Sequence, residues 1–263
     1  MIESPMVLIF PPDSRDDLGL SEQESASALD PAVLDNPNQT IASVKRELLR
    51  MIDLVDRMFR PVPALYETES PARLEAVRRQ DEFVNAALSD IRSYVAHIPA
   101  GNYSKHELKM VRGLMDYAIR LETAGDVIAK TLSDIIEEKH SLHAEFSDEG
   151  WMELVHMHEA VLANFKLASN VLISDDLESA RLLVMEKSEI KRFERKSRKR
   201  HLARLHEGRS ESFESSDVHL ETLRALRDIN SHVAAIAYPI LYRNGQLLET
   251  RLIEDMTPSS QSG

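Results

Sequence analysis

The stretch Leu121-Glu122-Thr123-Ala124-Gly125-Asp126-Val127-Ile128-Ala129 decides the fold once it is laid over Leu226-Arg227-Asp228-Ile229-Asn230-Ser231-His232-Val233-Ala234. At that offset the apolar columns coincide: Met115 on Leu220, Ala118 on Leu223, Leu121 on Leu226, Ile128 on Val233 and Ile135 on Ile240. These residues recur at the spacing of one helix face. The overlay predicts a duplicated helical unit. The polar residues inside it mark places where packing has yielded to another demand.

Following the apolar seams outward predicts six helices. The first runs from near Thr40 to Phe59 and is ended by Pro61 and Pro63. The second is capped by Ser70, takes Pro71 in its first turn and reaches about Ile98. Ser104 with Glu107 forms a capping box for the third, which reaches about His140. Ser147 opens the fourth, Asp175 with Glu178 the fifth, which ends at Gly208, and the sixth starts near Ser216 and passes Ile240 before Gly245. The expected fold is all-α, two tandem three-helix bundles of six long antiparallel helices, over 39–145 and 146–250. Residues 1–38 are expected to form a flexible tail and 251–263 a second one. No strand signal is found, apart from Asn244-Gly245 past a helix end.

Composition agrees with helices: 5% aromatic residues and 8 Gly in 263 residues, with abundant Leu, Ala, Glu and Arg. The lack of cysteine excludes disulfides, thiolate metal sites and cysteine nucleophiles, and fits a reducing compartment. No apolar run reaches the ~20 residues of a membrane span, and Met6 to Phe10 is too short for a signal-peptide core. The net charge of −12 hides an asymmetry. Lys191 to Arg204 holds eight Lys or Arg against Glu194, so it carries +7 and the remainder −19. Such an acidic remainder argues against nucleic acid as a partner.

Each of the second and third helices has one carboxylate in an otherwise apolar column. Asp81 interrupts Leu74, Leu88 and Val95, and Glu122 interrupts Leu108, Met115, Ala129 and Ile136. A tight turn at Gly101-Asn102 makes the two helices antiparallel, so Asp81 and Glu122 should face each other at one height. Asp126 follows Glu122 by four residues on the same face, and Gly125 lets a backbone or ligand come close. Clustered acids need a counter-charge. A divalent or trivalent metal ion (iron, zinc, magnesium or similar) held by Asp81, Glu122 and Asp126 would supply it. A solvated groove, or ion pairs to Arg112, Arg120 or Lys130, would do so too. In the second unit Glu122 maps onto Arg227, Gly125 onto Asn230 and Asp126 onto Ser231. Metal is not expected there. Arg227 should pair with Glu194 or Glu189, and Asn230, Ser231 and His232 should hydrogen-bond between helices.

The run Leu121, Glu122, Gly125, Asp126, Ala129 resembles the PhoU signature helix. His201 to Gly208, Ser215 to Leu220, Asn230 to Val233 and Ile236 to Leu241 resemble the PhoU-like cytoplasmic region of bacterial sodium/phosphate cotransporter proteins. Leu29 to Asp35 is similar to the segment with which that region begins, so the resemblance spans about residues 28–250. It implies paired three-helix bundles, a regulatory part in phosphate uptake and no catalysis. It also implies metal at Glu122 and Asp126; Asp81 comes from the turn geometry alone. Val127 stands where the signature usually has His, and the second copy lacks both acids.

The expected partners are a membrane phosphate transporter or its transmembrane domain, and a second copy of the chain. Lys191 to Arg204, whose charges look spread around most of the helix, reads first as a solvated helix end and next as a dock for a membrane-embedded partner or for anionic head groups in peripheral membrane contact. A cytoplasmic place at the inner face of the cell membrane follows. His158-Glu159 lacks the second His of a zinc-protease motif, and His140 and His143 lie at a helix end. No P-loop, nucleophile elbow or dinucleotide turn is present. The alternatives are a metal-dependent enzyme or metal store using the same acids, or a purely structural helical scaffold.

Overall fold

Asn36 starts the first long helix: its side-chain oxygen accepts from the Gln39 amide at 3.3 Å, and Pro37 needs no donor in the first turn. The computed structural model describes residues 26–207, 213, 215–248 and 251–252. Helix α1 spans Pro37–Phe59, the short α2 Val62–Glu67, α3 Pro71–Ala96 and α4 Lys105–Asp126. Helix α4 runs through a π-helical turn, Val127–Leu132, into α5, Ser133–Ser141. In the second unit α6 spans Asp148–Ser174, α7 Leu177–His206 and α8 Ser216–Val233. A 3₁₀ turn, Ala234–Ile236, leads into α9, Ala237–Arg243.

Helices α1, α3 and α4 pack on one another, as do α6, α7 and α8. These are the two trios that the overlay predicts. They join along α4 with α8 and α1 with α6. Tyr117 donates to the Val233 carbonyl at 3.0 Å, and the Tyr66 and Thr222 hydroxyls meet at 2.6 Å, so buried hydrogen bonds cross the seam. The apolar columns are inward as expected: Val77, Val84 and Ile91 of α3 face Val111, Ala118 and Leu132 in one core.

Several expectations are corrected. Residues 26–36 are not free chain. The Ala28 amide donates to buried Glu47 at 2.6 Å, the Asp30 amide to Ser43 at 2.9 Å, and Tyr94 and Tyr103 donate to the Asp30 and Leu34 carbonyls. The fifth helix is capped by Asp176, which accepts from the Ser179 amide at 2.7 Å; Asp175, at φ 51°, closes α6 instead. Ser70 holds the cap position of α3 through its carbonyl, with no side-chain bond. The expected end at Gly208 lies outside the described residues. The sixth helix is interrupted, because Pro239 cannot donate backward and crowds the preceding turn. Past Gly245, at φ 66°, the two-residue strands β1 (Leu247–Leu248) and β2 (Arg251–Leu252) pair antiparallel, which the alternation signal does not foretell. Among the described residues no helix is long and apolar enough to cross a membrane.

Candidate functional site

Both third helices change their winding before the overlaid run is over, into a π turn from Val127 in the first unit and a 3₁₀ turn from Ala234 in the second. Such irregular turns inside helices gather at functional sites. In the first unit the turn stands beside the acidic residues. Asp81, 5% exposed on α3, directs Oδ1 at Gly125 on α4, so close that a Cβ on Gly125 would lie 2.8 Å from that oxygen. The glycine is required by this approach. Asp81 Oδ2 accepts from Asn85 at 3.0 Å, while Oδ1 is buried without a hydrogen-bond partner. Burial pushes the Asp81 carboxyl up to about 6, the Asp126 charge adds to this and Glu122 adds less. The Asn85 hydrogen bond and the Lys130 charge oppose the rise.

Antiparallel pairing thus sets Asp81 against Gly125, with Asp126 and Glu122 near enough for their charges to act on it. They differ in state. Asp126 is half-buried and accepts from Lys130 at 2.6 Å, one turn on within the π segment, so the ion pair open from sequence forms there. Among the described residues no three His, Asp or Glu side chains converge closely enough to hold a metal ion. The unpartnered Asp81 oxygen opposite a glycine suits a cation. The present spread of the other two carboxylates does not complete a ligand set.

In the second unit Arg227 and Asn230 pair as expected, whereas His232, also expected to bond between helices, buries Nδ1 without a hydrogen-bond partner. Arg227 approaches Glu194 at 3.8 Å and also holds Asp228 at 2.7 Å. Asn164 donates to Asn230 at 2.8 Å in the core between α6 and α8. Sequence reasoning missed a buried cluster nearby. Glu153 of α6 accepts from Ser197 at 2.7 Å, Arg200 at 2.8 Å and Arg204 at 3.3 Å. His201 and His219 stack with ring centres 4.7 Å apart, and burial pushes His219 down to about 3. Gly150 makes room for the cluster: a Cβ there would meet His219 Nε2 at 3.4 Å and Arg204 Nη2 at 3.5 Å. The available signal was the stretch His201 to Leu220, whose polar residues fit no surface period.

His158 is no ligand either. It stacks on Phe59 at 4.4 Å, bonds the Phe59 carbonyl at 3.0 Å, and is held down to about 4 by burial. His140 bonds the Leu65 carbonyl at 2.8 Å.

The arrangement matches known structures. Residues covering 79% of the chain superpose on 99% of PhoU from Pseudomonas aeruginosa, with a TM-score of 0.67 and 20% identity. The phosphate transport system regulatory protein PhoU from Streptococcus pneumoniae superposes with a TM-score of 0.70 and 16% identity, over 81% of this chain and all of that one. The fold is that of PhoU. No family model matches the sequence. Its curated relatives carry the provisional name inorganic phosphate export protein YjbB. The one from Salmonella typhimurium is 30% identical over 232 residues, 88% of this chain, and that from Escherichia coli K12 is 29% identical over 227. The PhoU-like chain spans 42% of the length of either relative.

Proposed function

We propose that the chain is a non-catalytic regulatory module of phosphate transport. It acts by helix-to-helix contact with a membrane phosphate transporter of the sodium/phosphate cotransporter type, or with its transmembrane domain, on the cytoplasmic side of the cell membrane. The observation that carries this is the superposition over the full length of two PhoU chains, one of them named as a phosphate transport regulator. The YjbB relatives add weight from sequence, since they are named for phosphate export and extend well beyond the region shared with this chain. Helices α4 and α8 lie against each other, so a partner that shifts one unit displaces the other through the Tyr117 to Val233 bond. Affinity capture of the chain from native membranes, followed by mass spectrometry, tests the proposal. Recovery of a phosphate-transport component is expected; its absence from every capture would contradict it.

A second reading concerns the groove. It holds a divalent or trivalent cation through Asp81, Asp126 and Glu122 after Lys130 swings away. The buried, unpartnered Asp81 oxygen facing Gly125 supports it. Metal analysis of the purified protein, before and after Glu122→Ala with Asp126→Ala, tests this. The expected outcome is metal lost with the fold retained and no turnover; a metal-free wild-type protein would refute it.

A further inference from the structure

The basic run of α7 is sorted by the fold. Its inward side carries Glu194, Ser197, His201 and Arg204, all buried. Four of its eight cations are consumed by carboxylates: Arg198 by Glu194, Arg200 and Arg204 by Glu153, and Arg192 by Glu189. The other four, Lys191, Arg195, Lys196 and Lys199, are exposed and pair with no carboxylate among the described residues. At 100° per residue these four occupy one outward arc of roughly 140°, opposite the buried side. The charges that look dispersed in sequence are therefore one stripe, about 12 Å long by helical rise. Exposed Leu202, within the arc, and Met185, toward its edge, are 47% and 60% accessible.

We infer that this outward stripe of α7 adsorbs to anionic lipid headgroups, with Leu202 and Met185 reaching into the headgroup–acyl boundary. Water solvates four lysine and arginine heads well but gains nothing from the two apolar side chains among them. An anionic bilayer satisfies both. The stripe holds one carboxylate at its edge, Glu189, and that is already bound to Arg192. Acids farther than a screening length of about 8 Å act weakly on a bound surface, so a planar surface met stripe-first feels the cations. A nucleic acid duplex wrapping the chain would meet the acids as well, and an acidic protein surface gives no reason for Leu202 and Met185 to be exposed. The inference takes its setting from the membrane side of the proposed function. Vesicle adsorption tests the stripe and membrane capture tests the function, so either can fail alone.

The test is co-sedimentation of the full chain with vesicles of phosphatidylcholine containing about one third phosphatidylglycerol, and with pure phosphatidylcholine. Adsorption is expected to the anionic vesicles alone, and to fall steeply between low salt and 0.5 M salt. Each cation near an anionic leaflet strengthens binding about fivefold, so Lys191→Gln, Arg195→Gln, Lys196→Gln and Lys199→Gln together should weaken it by two to three orders of magnitude, roughly. Arg46→Gln, Arg79→Gln, Lys105→Gln and Arg112→Gln remove the same charge from exposed positions elsewhere and should cost no more than a few-fold. Equal losses from both quadruple variants, adsorption to neutral vesicles, or no adsorption at any salt would overturn the stripe. So would binding confined to DNA or to an acidic protein.

Discussion

Replacing Asp81 with Asn should stabilise the protein, contrary to the usual result of changing a buried polar residue. Its carboxyl titrates near 6 in the fold against an ordinary value of 3.8. That displacement corresponds to about 3 kcal/mol of strain on the ionised form. Local relaxation reduces the recoverable part to about 2 kcal/mol. The sign follows from proton binding. Below 3.8 the group is protonated in both states and nothing is lost. As pH rises toward 6 the unfolded chain releases its proton first, and native stability falls. Above 6 the loss is complete. Urea unfolding with chelator present should therefore show Asp81→Asn ahead by about 2 kcal/mol at pH 7.5, or about 4–8 °C in midpoint temperature. The advantage should shrink toward zero near pH 4. A variant less stable than wild type at pH 7.5, or one whose advantage ignores pH, would refute the reasoning. Added divalent cation should stabilise the wild type and leave Asp81→Asn unaffected.

Other perturbations separate packing from function. Glu153→Ala should cost about 3–5 kcal/mol in urea unfolding, because it leaves the buried Arg204 guanidinium without its carboxylate. Asn230→Leu alone should cost about 1–3 kcal/mol by orphaning Asn164, whereas Asn164→Leu with Asn230→Leu should recover most of it in a double-mutant cycle. His219 and His158 are held neutral by burial, down to about 3 and about 4. The unfolded chain takes up their protons first as pH falls below the ordinary 6.5, so stability drops from there toward pH 4. Replacing His219 with Phe should flatten that acid limb in pH-dependent unfolding, provided the ring fits beside His201.

The duplication was legible because its signal is periodic. Apolar columns at helix spacing and the Ser104–Glu107 capping box are local rules that the packed structure obeys. The turn placed Asp81 opposite Glu122, whereas the structure sets its oxygen against Gly125, three residues farther along α4. The winding defects were not legible. The π turn after Asp126 contains no proline or glycine to announce it, and the 3₁₀ turn is announced only by Pro239, three residues past its end. Docking of residues 26–36 depends on Glu47 and Ser43, polar groups whose partners lie in another segment. The Glu153 cluster escaped for the same reason. A buried ion pair is a fact of three helices at once, while a seam is read one helix at a time. The basic run looked evenly spread until Glu153, Glu189 and Glu194 claimed half of it.

Phosphate flux in the native host tests the central claim most directly. Cells deleted for this region alone should take up or release labelled inorganic phosphate at a rate altered several-fold. Wild-type chain should restore that rate. A variant carrying Asp81→Asn, Glu122→Gln and Asp126→Asn, folded to the same extent, should fail to do so. Unchanged flux in the deleted cells, with the folded chain present in the controls, would contradict the account.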